Sequence, residues 1–240
     1  MKVLIIGVPR QSQKVIKSIE EKIMIPNNIS TEDVRVFLNH TKSILEGRSK
    51  DHGYIDECEY RNYDVKFDTK IITNDPRGLP MPDVDPYHDN FTSILNLYAY
   101  LNLAWHAAES LVDDEVYIVS RPDLEFLDEL QVRKTAAKLG IITLPAWQPW
   151  ATGYNDRFFV ARGDKAKKIL RRRELLATMI KKGEAIKSER LMRDSSKKIL
   201  KVFTSTRAQR LRNSSLISVS EDFRTEYLKC IKRSIVDLFC

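Results

Sequence analysis

Apolar and polar residues alternate along the chain in blocks that predict strands separated by helices. The segments KVLIIGV, EVYIVS and IITLPAW are short and largely apolar, as is typical of buried strands, and DVRVFLNH, VKFDTKIITND and DRFFVAR are further strand candidates. QSQKVIKSIEEKI and DELQVRKTAAKLG have apolar residues at helical spacing, and the second is expected to end at Gly140. This alternation predicts an α/β domain whose central sheet is mostly parallel and flanked by helices.

One segment, NFTSILNLYAYLNLAWHAAESL, predicts a single long helix. It is apolar on two sides, so we expect it to be buried. His106 lies within it and is expected to be a hydrogen-bonded core histidine. The other three histidines lie far apart in the sequence, so a histidine metal cluster is not predicted.

Composition restricts the class of protein. The chain has 240 residues, of which 42% are hydrophobic and 30% charged, as expected for one folded domain with a substantial core. Its three cysteines include no close pair, so neither a disulfide framework nor a four-ligand zinc site is expected. The opening MKVLIIGVPR is too short for a signal peptide or a membrane span and reads as a first strand. A cytoplasmic location is the simplest expectation.

Positive charge is concentrated late in the chain. Residues 165–212 contain 17 Lys and Arg but only four acids, whereas the remainder is mildly acidic. Such a segment is typical of contact with nucleic acid, an anionic membrane surface or a phosphate-bearing molecule, or of a solvated helix face. Apart from Phe203 it has no aromatic residue to stack on bases, which argues against nucleic-acid binding. The segment is expected to be mainly helical, with a strand or loop in ILKVFTSTRAQRLR before a C-terminal helix.

Three strand ends have side chains suited to ligand binding, and ligands of open α/β sheets lie at the carboxyl ends of strands. The first is GVPRQ, where Gly7 allows a close approach to a ligand and Arg10 supplies charge. The glycine spacing of dinucleotide sites and of P-loops is absent. An ordinary strand-to-helix turn remains an alternative.

The second end is SRPD, where Pro122 must take the chain out of the sheet. This places Arg121 and Asp123 at the sheet edge. Asp123 is a suitable ligand for a hard divalent cation, and Arg121 is suited to pairing with phosphate. A simple salt bridge between the two is the alternative.

The third end is LPAWQPWATGYNDRFFVARGDKA. Trp147, Trp150 and Tyr154 surround polar residues there, a combination that suits sugars and nucleobases. The residues of this rim expected to contact a ligand are Trp150, Gly153, Tyr154 and Asn155. Packing of the tryptophans in the core, and a simple ion pair between Asp156 and Arg157, are the alternatives.

Taken together, SRPDLEF and GYNDRFFVARG resemble the small GT-A-type glycosyltransferases of algal large DNA viruses, bacteria and plants. The resemblance covers roughly residues 1–165. It implies a GT-A-like, Rossmann-type nucleotide-sugar-binding core over that range, and residues 166–240 would form a mainly helical part packed on the same domain.

The resemblance implies a metal site in which Asp123 holds manganese or magnesium against the donor diphosphate. Arg121 stands where the family's Asp-x-Asp motif has its first acid, so the arginine is expected to supply some of the positive charge. A second acid-x-acid pair, Asp83 and Asp85, is an alternative metal site. Its residue types match Asp-x-Asp better, but it lies in a proline-rich loop before the long helix and not at the end of an apolar strand.

The implied reaction moves a sugar from a UDP- or GDP-linked donor to a glycan or other hydroxyl acceptor. Cationic groups stabilise the departing diphosphate; those expected are Arg121, Arg207 and Arg210 with the Asp123 metal. Asp156 is expected to be the general base of an inverting enzyme or to position the donor sugar in a retaining one. The resemblance also implies that Val8, Pro9 and Arg10, with Asn74 and Asp75, contact the nucleoside.

Two other classes of function stay open at this stage. One is nucleic-acid binding through residues 165–212, although no nucleic-acid partner is expected. The other is peripheral contact with an anionic membrane through Arg171–Arg173 and Lys181–Lys182, which is compatible with catalysis.

Overall fold

A seven-stranded sheet lies at the centre of the computed structural model, which describes residues 1–41, 43–44, 53–73, 78–85, 87–149, 153–212 and 223–239. The strands of the described residues are β1 (Lys2–Gly7), β2 (Val34–Asn39), β3 (Ser43–Ile44), β4 (Gly53–Tyr54), β5 (Asp68–Ile72), β6 (Val116–Ser120), β7 (Leu124–Phe126), β8 (Ile142–Pro145), β9 (Phe159–Arg162), β10 (Lys201–Thr204) and β11 (Ala208–Arg210).

The helices flank this sheet. Within the described residues they are α1 (Ser12–Ile19), which continues as a π-helix over Glu20–Met24, α2 (Ile25–Asn27), α3 (Glu57–Lys66), α4 (Thr92–Glu109), α5 (Lys134–Lys138), α6 (Gly163–Leu170), α7 (Leu176–Lys181), α8 (Ser188–Ser195) and α9 (Tyr227–Phe239). Short 3₁₀ turns cover Thr31–Asp33 and Arg172–Leu175. None of these described helices is both long enough and apolar enough to cross a membrane.

The strand order is β5-β2-β1-β6-β9-β8-β10. Neighbouring strands are parallel except at β9, which runs antiparallel to both β6 and β8. A separate antiparallel pair, β7 with β11, lies beside the sheet, and β3 pairs with β4. The predicted α/β fold class, a mostly parallel sheet flanked by helices, is confirmed.

The central strands of the sheet are buried on both faces, whereas the edge strand β5 is largely exposed, and the period of two in a strand explains the burial. In β1, Val3 and Ile5 belong to a core cluster shared with α1 and α3, whereas Leu4 and Ile6 pack with α4 and α6 on the opposite face. Successive side chains of a strand point to opposite faces, so a strand buried on both faces must be apolar throughout. The residues Val3–Ile6 of β1 meet that requirement.

Two local predictions are wrong. DELQVRKTAAKLG is helical only over the short helix α5, although that helix does stop just before Gly140, as predicted, and Gly140 has φ at +80°. The backbone before it bonds to other elements instead: Leu130 N–H donates to the Lys22 carbonyl, and Val132 N–H donates to Asn27 Oδ1. His106 is exposed rather than a core residue. The predicted long helix is confirmed as α4, and it has 18 residues.

The basic segment is divided among several elements rather than forming one continuous helix. Part of it, β10, is an edge strand of the central sheet, and β11 pairs with β7. Of the two alternatives for the segment before the C-terminal helix, a strand or a loop, the structure has strands. The proposed division of the chain at residue 165 stays a prediction.

Candidate functional site

Two loops meet at the carboxyl edge of the sheet, one after β1 and one after β6. Gly7 ends β1 with φ at +146°, and a Cβ atom there would lie 3.0 Å from Pro122 Cδ. Arg10 N–H donates to the Pro122 carbonyl at 3.3 Å. Glycine is required for this close approach because its backbone tolerates positive φ and it has no side chain. The contact brings Arg10 next to the Arg-Pro-Asp turn.

Asp123 forms the centre of a buried ion-pair cluster. Its side chain is 1% exposed, and Arg121 donates to both of its carboxylate oxygens at 2.9 and 3.0 Å. Arg210 Nε donates to Oδ2 at 2.8 Å. Burial opposes ionisation, but Arg121, Arg210 and Arg10 outweigh it and lower the pKa of Asp123 far below its ordinary value. Asp123 is therefore a carboxylate clamped between guanidinium groups.

The pairing of β7 with β11 places Arg210 beside Asp123. Arg210 lies opposite Leu124 in that ladder, and Leu211 N–H donates to the Asp123 carbonyl at 2.7 Å. Burial lowers the pKa of Arg210 to about 9; Asp123 opposes the shift, while Arg121, Arg157 and Arg10 add to it. The guanidinium groups here exceed the negative charge that faces them, which favours an anionic ligand.

A cavity of about 270 Å³ opens over this cluster. Its walls come from the strand ends, from α4 and from the start of α8. The lining residues are Gly7, Val8, Arg10, Asn39, Thr41, Ser93, Asn96, Leu97, Ala99, Tyr100, Arg121, Asp156, Arg157, Ser188, Glu189 and Arg210. The cavity is therefore lined by positive guanidinium groups, by amide and hydroxyl groups and by one aromatic ring. This lining suits a phosphate-bearing ligand with hydroxyl groups.

Tyr100 connects the cavity to further buried charge. The guanidinium carbons of Arg121 and Arg172 lie 5.7 and 5.3 Å from the centroid of its ring. Arg172 is 2% exposed, and among the described residues its Nε and Nη2 have no hydrogen-bond partner. Buried nitrogen atoms without a hydrogen-bond partner are uncommon in folded proteins. The Arg172 guanidinium group adds to the excess of positive charge behind the cavity wall.

Asp156 and Glu189 are carboxylates of different character in this cavity. Ser188 Oγ donates to Asp156. Burial opposes ionisation of Asp156, but Arg121, Arg157 and Arg172 lower its pKa below the usual value. Burial, and then the charge of Asp156, raise the pKa of Glu189 above its ordinary value. Of the two, Glu189 has the greater affinity for a proton, a difference that typically separates acid and base roles.

Gly153 fixes the position of Glu189. A Cβ atom at Gly153 would lie 2.1 Å from the carbonyl carbon and oxygen of Glu189, so only glycine fits between this loop and α8. Tyr154 N–H donates to the same Glu189 carbonyl at 3.1 Å. The loop after β8 therefore seats the first turn of α8 at the cavity wall.

The residues predicted as donor contacts fall into three groups. Gly7, Val8, Arg10, Arg121 and Arg210 line the cavity, as does the predicted catalytic residue Asp156. Pro9, Asp123, Gly153, Tyr154, Asn155 and Arg207 do not line it. Asn74, Asp75 and Trp150 lie outside the described residues.

The residues that do not line the cavity have other contacts. Asn155 Nδ2 donates to the Trp147 carbonyl at 2.8 Å, and Tyr154 Oη donates to Asp237 at 2.7 Å, so both tie the loop to the core. Arg207 forms a two-point ion pair with Asp128, at 2.7 and 2.8 Å, where both side chains are partly exposed.

The lining residues that sequence reasoning missed come mainly from α4 and from the start of α8. Asn39 and Thr41 had a usable signal, since they follow the apolar strand β2, whose carboxyl end lies beside that of β1. Glu189 had none, because it lies in an ordinary amphipathic pattern and only tertiary packing brings it to the cavity.

The fit of a divalent cation can be judged from the donor set. Both oxygens of Asp123 already accept hydrogen bonds from guanidinium groups. Asp85 accepts from the backbone N–H groups of Tyr87, Asp89 and Phe91, so it shapes the turn before α4. No group of three or more His, Cys, Asp or Glu side chains suited to a metal occurs among the described residues. The donor set around Asp123 therefore does not fit a metal ion bound to that carboxylate. The manganese or magnesium ion expected from the sequence stays a prediction.

A larger depression, of about 480 Å³, lies beside Trp105. Its arginine is engaged by neighbours: Arg173 lies over the Trp105 ring at 3.8 Å and donates to Asn102 Oδ1 at 2.9 Å. Arg171 lies over the same ring at 5.1 Å. The depression lacks the strand-end polar groups and the paired carboxylates, so the candidate site is the smaller cavity.

Comparisons with known proteins give likenesses of fold. No protein-family model matches the chain, and no curated protein sequence matches it. Among solved structures, galactosyltransferase LgtC with donor and acceptor sugar analogs has a TM-score of 0.41 and 10% identity over 80% of this chain and 69% of LgtC. The glycosyltransferase GlyE of Streptococcus pneumoniae has a TM-score of 0.42 and 10% identity over 85% of this chain and 46% of GlyE.

A third structure, from Bacillus anthracis, is described as a glucose-1-phosphate thymidylyltransferase in complex with a sucrose. It has a TM-score of 0.46 and 7% identity, over 100% of this chain and 95% of that protein. At this level of similarity, no activity of this chain follows from any of the three.

Proposed function

We propose that this chain transfers a sugar from a UDP- or GDP-linked donor to a hydroxyl group of a glycan acceptor. The observation that carries the proposal is the cluster of largely buried guanidinium groups around Asp123 at the carboxyl edge of the sheet, which faces a cavity containing two carboxylates of opposite pKa shift. The diphosphate of a nucleoside-diphosphate sugar is an anion suited to the guanidinium groups, and the acceptor hydroxyl supplies a proton for one of the carboxylates.

Arg10, Arg121, Arg157 and Arg210 are assigned to the donor diphosphate. When the bond from the anomeric carbon to the diphosphate oxygen breaks, its electron pair moves onto the leaving group. Fixed cations in a partly buried cavity stabilise that charge more effectively than solvated ones. Asp123 is assigned as the counter-ion that holds Arg121 and Arg210 in place when no ligand is bound, so no step is assigned to a metal.

Glu189 is assigned as the group that accepts the acceptor's proton. The acceptor hydroxyl oxygen forms the new bond to the anomeric carbon, and its proton passes to a carboxylate. A base needs proton affinity, and the raised pKa of Glu189 meets this need better than the lowered pKa of Asp156. Asp156, bound by Ser188, is assigned to position the donor sugar. The assignment of the base applies to an inverting reaction.

The nucleoside is assigned to the side of the cavity formed by β1, β2 and α4. Val8 and Arg10 follow β1, and Asn39 and Thr41 follow β2. Backbone groups at these strand ends and the side chains of Ser93 and Asn96 supply donors and acceptors for a base and a ribose. Asn74 and Asp75 stay predicted contacts.

The test is release of nucleoside diphosphate from a panel of UDP- and GDP-linked sugars, with and without pooled glycan acceptors. We expect at least one donor to release its diphosphate faster when acceptor is present. Arg157→Gln should slow that release, whereas Arg207→Gln, which alters an arginine paired at the surface, should not. Absence of release from every donor, combined with tight binding of an oligonucleotide, would replace this proposal with the nucleic-acid alternative.

A further inference from the structure

The last described helix, α9, buries small and polar side chains and exposes most of its large apolar ones. The buried residues of α9 are Cys230, Ser234 and Asp237. They recur at spacings of four and three, so they lie on one face of the helix. An amphipathic helix that packs on a core normally buries its apolar side. The reversed orientation of α9 calls for a physical reason.

Polar bonds fix this orientation. Arg193 donates to Asp237 Oδ1 through Nε and Nη2 at 2.9 and 2.7 Å, and Tyr154 Oη donates to Oδ2 at 2.7 Å. Asp237 is fully buried, and Lys198 N–H donates to its carbonyl. Arg233 donates to the Gly153 carbonyl. Turning the helix over would leave a buried charge unpaired, so the outward apolar face is a built feature.

The outward face has an apolar stripe that Lys232 interrupts. Leu228, Ile231, Ile235 and Phe239 follow one another at spacings of three, four and four, and they are 75, 45, 52 and 86% exposed. Val236, at 52%, extends the stripe. Exposed apolar surface of this kind marks a contact with a partner or a lipid.

Positive charge lies at the edge of the stripe, at Lys229, and within it, at Lys232. Lys229 and Lys232 are exposed members of α9, and Lys198, also exposed, lies against its C-terminal half. Lys229 pairs with Glu226 just before the helix, at a partly exposed position. Within α9 itself the only acid is Asp237, which is buried. An apolar stripe beside lysines is suited to the boundary between anionic headgroups and acyl chains.

We propose that α9 docks the protein on an anionic lipid surface, with Leu228, Ile235 and Phe239 inserted and Lys229 and Lys232 at the headgroups. A second copy of the chain is the less suitable occupant, because apposed α9 helices would bring like-charged lysines together. The proposal does not depend on the proposed transferase activity.

The experiment is co-sedimentation of the full chain with vesicles of phosphatidylcholine and phosphatidylglycerol at 7:3, and with pure phosphatidylcholine vesicles. We expect binding to the anionic vesicles only. The double variant Leu228→Gln/Ile235→Gln should bind about tenfold more weakly, because two apolar side chains no longer leave water. The double variant Lys229→Glu/Lys232→Glu should also bind about tenfold more weakly at low salt.

A matched control removes exposed apolar side chains elsewhere: Val65 and Leu139 are 80 and 75% exposed, and Val65→Gln/Leu139→Gln should bind as the wild type does. Absence of vesicle binding by the wild type would overturn the proposal. So would equal loss of binding in the control variant, or a wild-type dimer in sedimentation velocity that Leu228→Gln/Ile235→Gln dissociates.

Discussion

Replacing Asp123 with asparagine tests whether this residue is the counter-ion of the arginine cluster. The substitution keeps the size of the side chain but removes the charge that Arg121 and Arg210 share. Three charge-assisted hydrogen bonds, at 2.8 to 3.0 Å, lose their ionic acceptor. Two guanidinium groups, each about 20% exposed, then face each other across an amide.

The magnitude follows from burial. Breaking a buried ion pair by removing one partner costs roughly 3–5 kcal/mol, and the amide oxygen still accepts one bond, so we expect a loss of about 3 kcal/mol in the free energy of unfolding. For a chain of this length that corresponds to a fall in Tm of roughly 6–12 °C. Because a cationic cavity remains, nucleoside diphosphate should still bind.

The assay is urea and thermal unfolding of the wild type and the variant between pH 3 and pH 8. The folded pKa of Asp123 is lowered, so its stabilisation is present above the unfolded pKa and is lost as the pH falls further. The difference between the two proteins should therefore be constant above about pH 5 and should shrink below about pH 4.

Asp128→Asn is the matched control, because Asp128 has the same two-point contact with Arg207 but at a partly exposed position. It should cost less than about 1 kcal/mol. The reasoning is refuted if Asp123→Asn is no more destabilising than Asp128→Asn, or if the variant keeps its stability and loses nucleotide binding that depends on manganese.

Three further outcomes are expected. Glu189→Gln should lower the rate of transfer by about 100-fold or more without changing nucleotide affinity. In the wild type the rate should fall as the pH drops through the pKa of Glu189, which is raised above its ordinary value. An unchanged pH profile in the variant would argue against Glu189 as the base. Gly153→Ala should lower the free energy of unfolding by about 3 kcal/mol, because the added Cβ atom would overlap the Glu189 backbone. Gly78→Ala should be nearly neutral in the same unfolding assay, because nothing lies within 4 Å of a Cβ atom there. Tyr154→Phe should cost roughly 1–3 kcal/mol by freeing an oxygen of buried Asp237, and a neutral result in urea unfolding would contradict the assigned hydrogen bond.

Most of the fold could be predicted from the sequence because hydrophobic patterning is local. VLII in β1 and VYIV in β6 are apolar at consecutive positions, as expected of short strands covered on both faces. The prediction of a helix for the segment before α5 was wrong because the backbone there donates hydrogen bonds to Lys22 and Asn27, which are distant in sequence. Helical spacing alone cannot reveal such competition.

The candidate site could be predicted only at strand ends. Arg10 and Arg121 follow the apolar strands β1 and β6, so position alone indicated them. Arg210 was indicated by charge, but its proximity to Asp123 depends on the β7 and β11 pairing. Glu189 depends on the fit of α8 against Gly153. Contacts of that kind arise from packing between elements and have no signature within a short stretch of sequence.

The measurement that tests the central claim most directly is calorimetric titration of the wild type with UDP and GDP in the presence of EDTA. We predict that one of them binds, that raising the salt concentration weakens binding, and that Arg157→Gln weakens it about tenfold while Arg207→Gln leaves it unchanged. Absence of binding for both nucleotides, or binding that appears only when manganese is added, would contradict the assignment of the diphosphate to the arginine cluster.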